Sequence, residues 1–414
     1  MTPPTPSGAD RPRLSADRQQ LLELLRRRGQ VPRTATAARE TVAAAPDADA
    51  PAGGRPPKIS LFFFSADLDD RPDEKYELVT ECAQLADRLG LHAVWVPERH
   101  FDGFGAPYPA PAVLLAALAA RTERLRLRAG SVVLPLHDPL LVAEQWGVLD
   151  AISGGRAGIS LASGWHPDDF VLAPDAYDRR RELLAEGVEE LRRLWADEAV
   201  ERTAPQGRSI AVRSYPVPRT TPPMWLTSTG NPETWRTAGR LGMNVLTALL
   251  QQTVEEVAER AALYRRELPV DGLATEITVM LHTHLGPDDA AVRRRVREPL
   301  LTYLSAHLDL FAKQAVGADL GVRPEDVSEE DRQLLLEHGL QRYYSSAGLF
   351  GTVESCRPMV EKLRRAGATE LACLVDFGLP REQVLQCVHH LAELQQALAD
   401  DAAAVQASDA AAVR

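Results

Sequence analysis

The chain has 414 residues, 45% of them hydrophobic, so it can bury a substantial core in one large domain or two smaller ones. Asp and Glu number 58 against 47 Lys and Arg, and the formal net charge of -11 would repel a polyanion, which argues against DNA or RNA as a partner. The sequence shows neither an apolar leader nor a run of about 18 apolar residues, so we expect no secretion, no membrane span and a cytoplasmic location.

The two ends of the chain are poor in large apolar residues. Two stretches rich in Pro, Ala and Gly lie within residues 1–57, which predicts a mobile N-terminal tail. Between them, "LSADRQQLLELLRRRG" (14–29) predicts one short amphipathic helix with leucines along one face. Residues 399–414 are rich in Ala without a defined apolar stripe, so we expect a C-terminal tail that frays.

Residues 58–398 alternate strand-like apolar runs with amphipathic helical segments. Repeated alternation of this kind predicts a (β/α)8 TIM barrel with insertions rather than an open doubly wound sheet. The eight predicted strands cover residues 59–64, 92–97, 125–135, 157–163, 224–229, 243–250, 276–285 and 369–378. The segment 305–350 is longer than a barrel connection requires, and we interpret it as a lid-like insertion over the site.

The second predicted strand ends in ionisable residues. "VWVPERHF" places Glu98, Arg99 and His100 directly after Pro97. Active sites of TIM barrels are built at the C-terminal ends of the strands, so we expect these side chains to lie at the active-site face.

Two further strand ends carry small and polar residues. The fourth strand is followed by Ser163, Gly164, Trp165 and His166, and the fifth by Ser228, Thr229, Gly230 and Asn231. The second turn precedes Pro232 at a predicted helix N-terminus, where free backbone N–H groups and the helix dipole suit a phosphate. Helix caps of the same composition occur in all kinds of proteins, so this turn alone does not establish a phosphate site.

Four segments together resemble the bacterial-luciferase-like flavin monooxygenases, in particular the branch associated with nonribosomal peptide and polyketide biosynthesis. They are "VWVPERHFDGFG", "GSVVLPLHDPLLVAEQWGVLDAISGGRAGISLASGWHPDDF", "WLTSTGNPETWRTAGRLGMNVLT" and "ELACLVDFG". The resemblance implies a barrel that binds reduced FMN supplied by a separate flavin reductase. It also implies reaction with O2 to a flavin hydroperoxide and transfer of one oxygen atom to a natural-product intermediate.

The resemblance assigns roles to individual residues of this chain. Ser228, Thr229, Gly230 and Asn231 correspond to the cradle of the FMN phosphate, and Arg181 corresponds to a residue that helps to hold it. Ser131 corresponds to a position beneath the flavin ring whose preceding peptide bond is cis in many relatives. Ser163 and Gly164 would lie near the ring, with Trp165 and His166 on the substrate side.

The catalytic assignment departs from the family pattern. Luciferase carries two adjacent histidines after its second strand, whereas this chain has Arg99 followed by His100. A guanidinium cannot act as a base near neutral pH, so we assign His100 as the proton donor or acceptor. Arg99 would be an electrostatic partner of Glu98, the flavin or the substrate. The structural alternative is a Glu98–Arg99 salt bridge at the barrel rim, with His100 capping a loop.

Several other residues admit two interpretations. "FFF" at 62–64 is interpreted as barrel core in preference to a pocket wall. Asp376 ends the eighth strand and would either bind a substrate amine or cap a loop. His282 and His284 alternate on one strand without further ligands, and the four cysteines lack metal-binding spacing, so we expect no metal site and reduced core cysteines.

Two other functions stay open at this point. One is an F420-dependent hydride-transfer oxidoreductase, and the other is a flavin-binding or scaffold protein without turnover. A homodimer or higher homo-oligomer is expected, and an acyl or peptidyl carrier protein is a candidate partner. The helix at 14–29 would either recruit that carrier protein or pack against a second subunit.

Overall fold

A computed structural model describes residues 55–65, 72–105, 107–250, 252–269, 275–317 and 329–412. The helix predicted at 14–29 and the first 54 residues of the predicted tail therefore lie outside the described residues. The strands are β1 (Lys58–Phe63), β2 (Ala93–Val96), β3 (Arg126–Val133), β4 (Ala157–Ala162), β5 (Val200–Thr203), β6 (Ser209–Val212), β7 (Met224–Ser228), β8 (Asn244–Ala248), β9 (Ile277–Leu285), β10 (Gly348–Gly351) and β11 (Glu370–Asp376).

Eight parallel strands form a closed barrel in the order β1-β2-β3-β4-β7-β8-β9-β11. Pairing of β8 with β9, for example Val245 with Ile277, joins the two ends of the sheet, and β11 returns to β1. The predicted (β/α)8 barrel is confirmed, and each of the eight predicted strands corresponds to one barrel strand.

The helices surround the barrel and begin and end at residues suited to those positions. In the third helix, the Asp138 carboxylate accepts a hydrogen bond from the Leu140 N–H, and Gly154 ends the helix with φ 68°. No helix within the described ranges is both long and apolar enough to cross a membrane. The helices are α1 (Pro72–Leu89), α2 (Pro111–Ala119), α3 (Pro139–Ser153), α4 (Arg180–Trp195), α5 (Pro232–Arg240), α6 (Val254–Arg266), α7 (Asp289–Gly317), α8 (Glu329–Arg342), α9 (Val353–Arg365) and α10 (Arg381–Ala412).

The four cysteines confirm the expectation of reduced core residues. Cys82, Cys356, Cys373 and Cys387 are buried and free. Burial raises the pKa of both Cys356 and Cys387 to about 12, so these thiols stay protonated at neutral pH.

Three segments differ from the sequence-based expectations. Residues 399–412, which we expected to form a separate tail, continue helix α10 to Ala412, in keeping with the high helix propensity of alanine. The β5–β6 hairpin after α4 was not predicted. Within the predicted lid, β10 pairs with the C-terminal half of β9, so residues 348–351 extend the sheet. Residues 318–328 of that segment are outside the described chain.

A charged cluster fills the opposite, N-terminal end of the barrel. The fully buried Glu370 carboxylate accepts hydrogen bonds from Ser60, Trp95 and Arg128. His92, Glu276 and Glu370 place ligand atoms within 4.8 Å of one another. The Arg128 guanidinium already lies among them, with Nη2 3.0 Å from His92 Nε2 and 3.3 Å from Glu276 Oε2. An internal cation therefore occupies the place that a metal ion would take.

Candidate active site

A cavity of about 490 Å³ opens at the C-terminal ends of the barrel strands. This volume lies in the range of roughly 300 to 1,000 Å³ that is typical of small-molecule sites. Two residues that line the cavity must be glycines, because a side chain there would clash with its neighbours. A Cβ at Gly130 would lie 2.9 Å from Phe62 Cε2, and one at Gly164, where φ is 83°, would lie 2.7 Å from Phe170 Cε2. The peptide bond between Gly130 and Ser131 is cis, as the resemblance implies.

The buried Glu98 carboxylate is the centre of a hydrogen-bond cluster at the cavity wall. Its Oε1 lies 2.9 Å from His100 Nε2 and 2.5 Å from His137 Nε2. Its Oε2 accepts a hydrogen bond of 2.7 Å from the Val133 N–H. An ionised carboxylate only accepts hydrogen bonds, so both imidazoles donate their Nε2 protons to it.

The cluster shifts the pKa values of two of its members in opposite directions. Burial by itself would raise the pKa of Glu98, but the hydrogen bonds from His100, His137 and Val133 outweigh it, so the net shift is downward. The hydrogen bond to Glu98 raises the pKa of His100, an effect that burial only partly opposes. At neutral pH, Glu98 is therefore ionised and His100 is a better proton carrier than an isolated histidine.

Replacing Glu98 with glutamine should lower the pKa of His100 toward 6.5, because the hydrogen bond to the carboxylate is the largest cause of the shift. In the native protein, protonation of His100 stabilises the fold below pH 6.5, and this contribution is lost as the pH rises through its raised pKa. NMR titration of the His100 ring in both proteins measures the difference. An unchanged midpoint would show that Glu98 does not control this imidazole.

Arg99 binds a different carboxylate from the one suggested by the sequence. Its Nη1 lies 3.3 Å from Asp169 Oδ2, and its Nε donates a hydrogen bond of 3.0 Å to the Phe104 carbonyl. The alternative of a Glu98–Arg99 salt bridge is therefore wrong, because Glu98 is already bonded to the two imidazoles. The guanidinium also lies 5.3 Å from the centre of the Trp165 ring. Arg99 thus joins the loop after β2 to the loop after β4.

Two helix N-termini meet at another part of the cavity wall. Ser228, Thr229 and Asn231 line it just before α5, and Arg180 and Arg181 line it at the beginning of α4. Arg181 makes no hydrogen bond or ion pair with any other residue of the described ranges. A free guanidinium beside two helix N-termini is a donor set that fits a phosphate group.

A family model described as "Luciferase-like monooxygenase" matches residues 58–370, which is more than half of the chain. The protein belongs to the luciferase-like monooxygenase family. It is therefore an enzyme of the oxidoreductase class, and the match coincides with the barrel and its cavity.

Both curated proteins and solved structures are similar to this luciferase-like monooxygenase. The oxygenase component of the flavin-dependent trigonelline monooxygenase from Acinetobacter baylyi is 28% identical over 60% of this chain and 71% of its own length. Other curated relatives are matched over 44–52% of their length. The crystal structure of monooxygenase RslO1 from Streptomyces bottropensis is 26% identical, with a TM-score of 0.65 over 81% of this chain and 98% of RslO1. The FMN complex of the oxygenating constituent of 3,6-diketocamphane monooxygenase from Pseudomonas putida shares the fold at 16% identity, with a TM-score of 0.61 over 81% of this chain and 98% of that chain.

The cavity of the luciferase-like monooxygenase brings together most of the predicted site residues. Those that line it are Glu98, Arg99, Ser131, Ser163, Gly164, Trp165, Arg181, Ser228, Thr229 and Asn231. Asn231 is partly committed to the fold, because its side-chain Oδ1 caps α5 by accepting a hydrogen bond from the Glu233 N–H.

Four predicted site residues are not part of the cavity wall. His100 reaches it only through Glu98. His166 is buried beside Asp169, with its Nδ1 3.5 Å from Oδ1. Asp376 accepts a hydrogen bond from Tyr108 and lies 3.8 Å from Lys75 Nζ, so the proposed contact with a substrate amine is not supported. Gly230 gives the turn its backbone shape at φ 137° without facing the cavity.

The sequence analysis did not identify the aromatic side of the cavity or the second histidine bound to Glu98. Phe63 is buried core as interpreted, whereas Phe62 and Phe64 also line the cavity. Phe104, Tyr303 and His307 line it as well. The Phe104 ring lies 5.2 Å from Phe64 and 4.9 Å from Tyr303. Only the alternation of Phe62 and Phe64 was visible in the sequence, because Tyr303 and His307 come from α7, far along the chain. The second histidine bound to Glu98, His137, was also missed.

Proposed function

We propose that this luciferase-like monooxygenase binds reduced FMN, supplied by a separate flavin reductase, and transfers one oxygen atom from O2 to an intermediate of natural-product biosynthesis, either free or bound to a carrier protein. The observation that carries the proposal is one cavity with a phosphate-type donor set, a hydrogen-bonded carboxylate–imidazole cluster and an aromatic wall.

The residues present fit FMN. Arg181 and the turn before α5 would hold the phosphate, and Ser131, Ser163 and Gly164 would lie along the ring. When bound, reduced FMN supplies the electrons and activates O2. The protein itself binds the cofactor, positions the substrate and controls protons.

Proton control is assigned to the Glu98 cluster. Glu98 lies at the cavity, and His100 Nε2 holds a proton against Glu98 Oε1. An imidazole with a raised pKa can deliver that proton through the carboxylate near neutral pH. Arg99 cannot replace it as a base and instead positions the loop after β2.

The aromatic wall is assigned to the substrate. Burial lowers the pKa of His307 to about 4 and raises that of Tyr303 well above its usual value, so both side chains are neutral at physiological pH. Together with Phe64 and Phe104, they favour an apolar or aromatic substrate and keep water away from the reacting oxygen. Trp165 is 47% exposed and also lines the cavity, next to Arg99.

An anaerobic titration with reduced FMN and, in parallel, with reduced F420 tests the cofactor. We expect tight binding of reduced FMN, followed, on addition of isotopically labelled O2, by labelled product from a panel of aromatic natural-product precursors. Selective binding of F420 with hydride transfer would support the alternative oxidoreductase. FMN binding without any reaction of O2 would support a non-catalytic flavin-binding protein.

Replacing Arg181 with glutamine should weaken FMN binding by about 1.5 to 3 kcal/mol, the cost of losing a charge-assisted hydrogen bond. Riboflavin binding should change little because that ligand has no phosphate. Arg179→Gln is the matched control, since Arg179 lies two residues earlier and is paired with Glu182 on the surface. Calorimetric titration with both ligands measures the effect, and an equal loss for FMN and riboflavin would remove Arg181 from the phosphate site.

A further inference from the structure

His137 is bound to the active-site carboxylate but has no role in the proposed function so far. It follows the short 3-10 turn Leu134–Leu136 and directly precedes Asp138, the residue that caps α3. Its side chain is 32% exposed, compared with 1% for Glu98 and 11% for His100. Of the three side chains, His137 is therefore the one in best contact with solvent.

The three side chains connect solvent to the cavity in a fixed order. His137 Nε2 lies 2.5 Å from Glu98 Oε1, and the same oxygen lies 2.9 Å from His100 Nε2. Of these three side chains, Glu98 is the one that lines the cavity. Any proton that passes between the cavity and either imidazole along these hydrogen bonds must therefore cross the Glu98 carboxylate.

The charges around this path are balanced. His100 is influenced by Asp169, which favours its protonated form, and by Arg99, which opposes it. Next to His137, the Asp138 carboxylate lies 3.5 Å from Arg202 Nη2. Asp169 and Asp138 are thus paired with Arg99 and Arg202. Among the residues that the structure describes, Glu98 is the carboxylate that bonds both imidazoles.

Oxygenation consumes a proton that such a path can supply. Transfer of one oxygen atom from O2 leaves the other to be released as water, and the electrons for that reduction come from the reduced flavin. Reduced FMN in its anionic form brings two electrons and one proton, whereas the released water contains two protons, so one proton per turnover is drawn from solvent. A relay of side chains delivers protons to the cavity without bulk water beside its aromatic wall.

We propose that His137 is the solvent-side entry of a proton relay that supplies the cavity through Glu98. Nδ1 of His137 takes a proton from solvent, which keeps the hydroxide left behind, as the Nε2–H bond breaks and an O–H bond forms at Glu98 Oε1. The ring then loses the Nδ1 proton to solvent and regains one at Nε2, which restores its initial form. Glu98 then releases its proton to the acceptor in the cavity, and His100 serves as the store on the same oxygen. This role rests on the proposed oxygenation. His137 acts through Glu98 and is a positioning and relay residue rather than a catalytic one.

The first test uses His137→Gly, which opens a space that imidazole can enter. We expect oxidation of protein-bound reduced FMN by O2 to slow by at least about tenfold in dilute phosphate buffer and to recover in proportion to added imidazole. His390→Gly is the control: His390, partly exposed on α10, also bonds a glutamate, Glu393, and its replacement should show neither the loss nor the rescue. An unchanged rate, or a loss that imidazole does not restore, would overturn the relay.

The second test needs no cofactor. In the cofactor-free protein, exchange of the His100 Nε2 proton with solvent, measured by NMR, should slow at least about tenfold in His137→Gly and recover with imidazole. Exchange that is independent of His137 would overturn the relay. If the native protein does not oxidise reduced FMN but shows this exchange pattern, the proposed function fails and the proton path stands.

Discussion

Replacing Glu98 with glutamine is expected to lower the yield of oxygenated product by about 10² to 10⁴-fold, the usual contribution of a positioned proton donor or acceptor. Glutamine keeps the shape of the side chain but carries no charge. It therefore cannot receive a proton from His100 or His137, both of which donate to Glu98 in the native protein. FMN affinity should stay within a few-fold, because Arg181 and the turn before α5 are unchanged. Product yield per reduced FMN consumed, with hydrogen peroxide measured in the same sample, is the readout.

Two controls separate proton control from loss of structure. Glu354→Gln, on the exposed surface of α9, should leave the yield unchanged. His100→Ala should give a loss of the same order as Glu98→Gln, with oxygen diverted to peroxide, because it removes the proton store on the same carboxylate oxygen. Normal product yield in Glu98→Gln would exclude the cluster from the reaction.

The barrel could be predicted from the sequence because its strands have a simple physical signature. Each is a short apolar run, such as "ISLFFF" before α1 or "HAVWVP" before the loop at 98–104, and helical segments separate the runs. Register and closure then follow from general rules for parallel strands. The β5–β6 hairpin was missed because its strands are only four residues long and half exposed, which leaves little hydrophobic pattern.

The site was predictable only where it lies at strand ends. Glu98 and Ser163 follow barrel strands and Ser228 ends one, so their positions at the cavity could be inferred. The hydrogen-bond partners of the residues at these strand ends could not be inferred. Whether Arg99 pairs with Glu98 or with Asp169 depends on the path of two loops, since Asp169 is 70 residues away in sequence. His137 lies 39 residues from Glu98, and nothing local to "LPLHDP" indicates that its ring turns toward the loop after β2.

The charged cluster at the other end of the barrel gives the largest expected effect on stability. Glu370 is fully buried, and the Arg128 guanidinium is its cationic partner, lying 4.3 Å from the centre of the Trp225 ring and 5.1 Å from that of Trp95. Burial would raise the pKa of Glu370, but the charge of Arg128 and the other contacts more than offset this and lower it, so the carboxylate is ionised. Replacing Arg128 with methionine leaves that charge without its main partner.

We therefore expect Arg128→Met to lower the free energy of unfolding by about 3 to 5 kcal/mol, as is typical when one member of a buried ion pair is removed. Urea denaturation followed by far-UV circular dichroism measures the change. Arg126→Met is the matched control, because Arg126 lies on the same strand but is exposed, and its guanidinium donates a hydrogen bond to the Gly155 carbonyl rather than to a buried carboxylate; its effect should be within about 0.5 kcal/mol.

The double variant Arg128→Met/Glu370→Gln decides whether the unpaired charge is the cause. Glutamine is neutral, and its side-chain oxygen can still accept the hydrogen bonds that Ser60 and Trp95 donate to Glu370. Stability should therefore recover by about 1 to 4 kcal/mol relative to Arg128→Met alone. Glu370→Gln is also measured alone. If its loss of stability and that of Arg128→Met simply add in the double variant, the cost of Arg128→Met comes from lost packing between Trp95 and Trp225, and the electrostatic explanation is wrong.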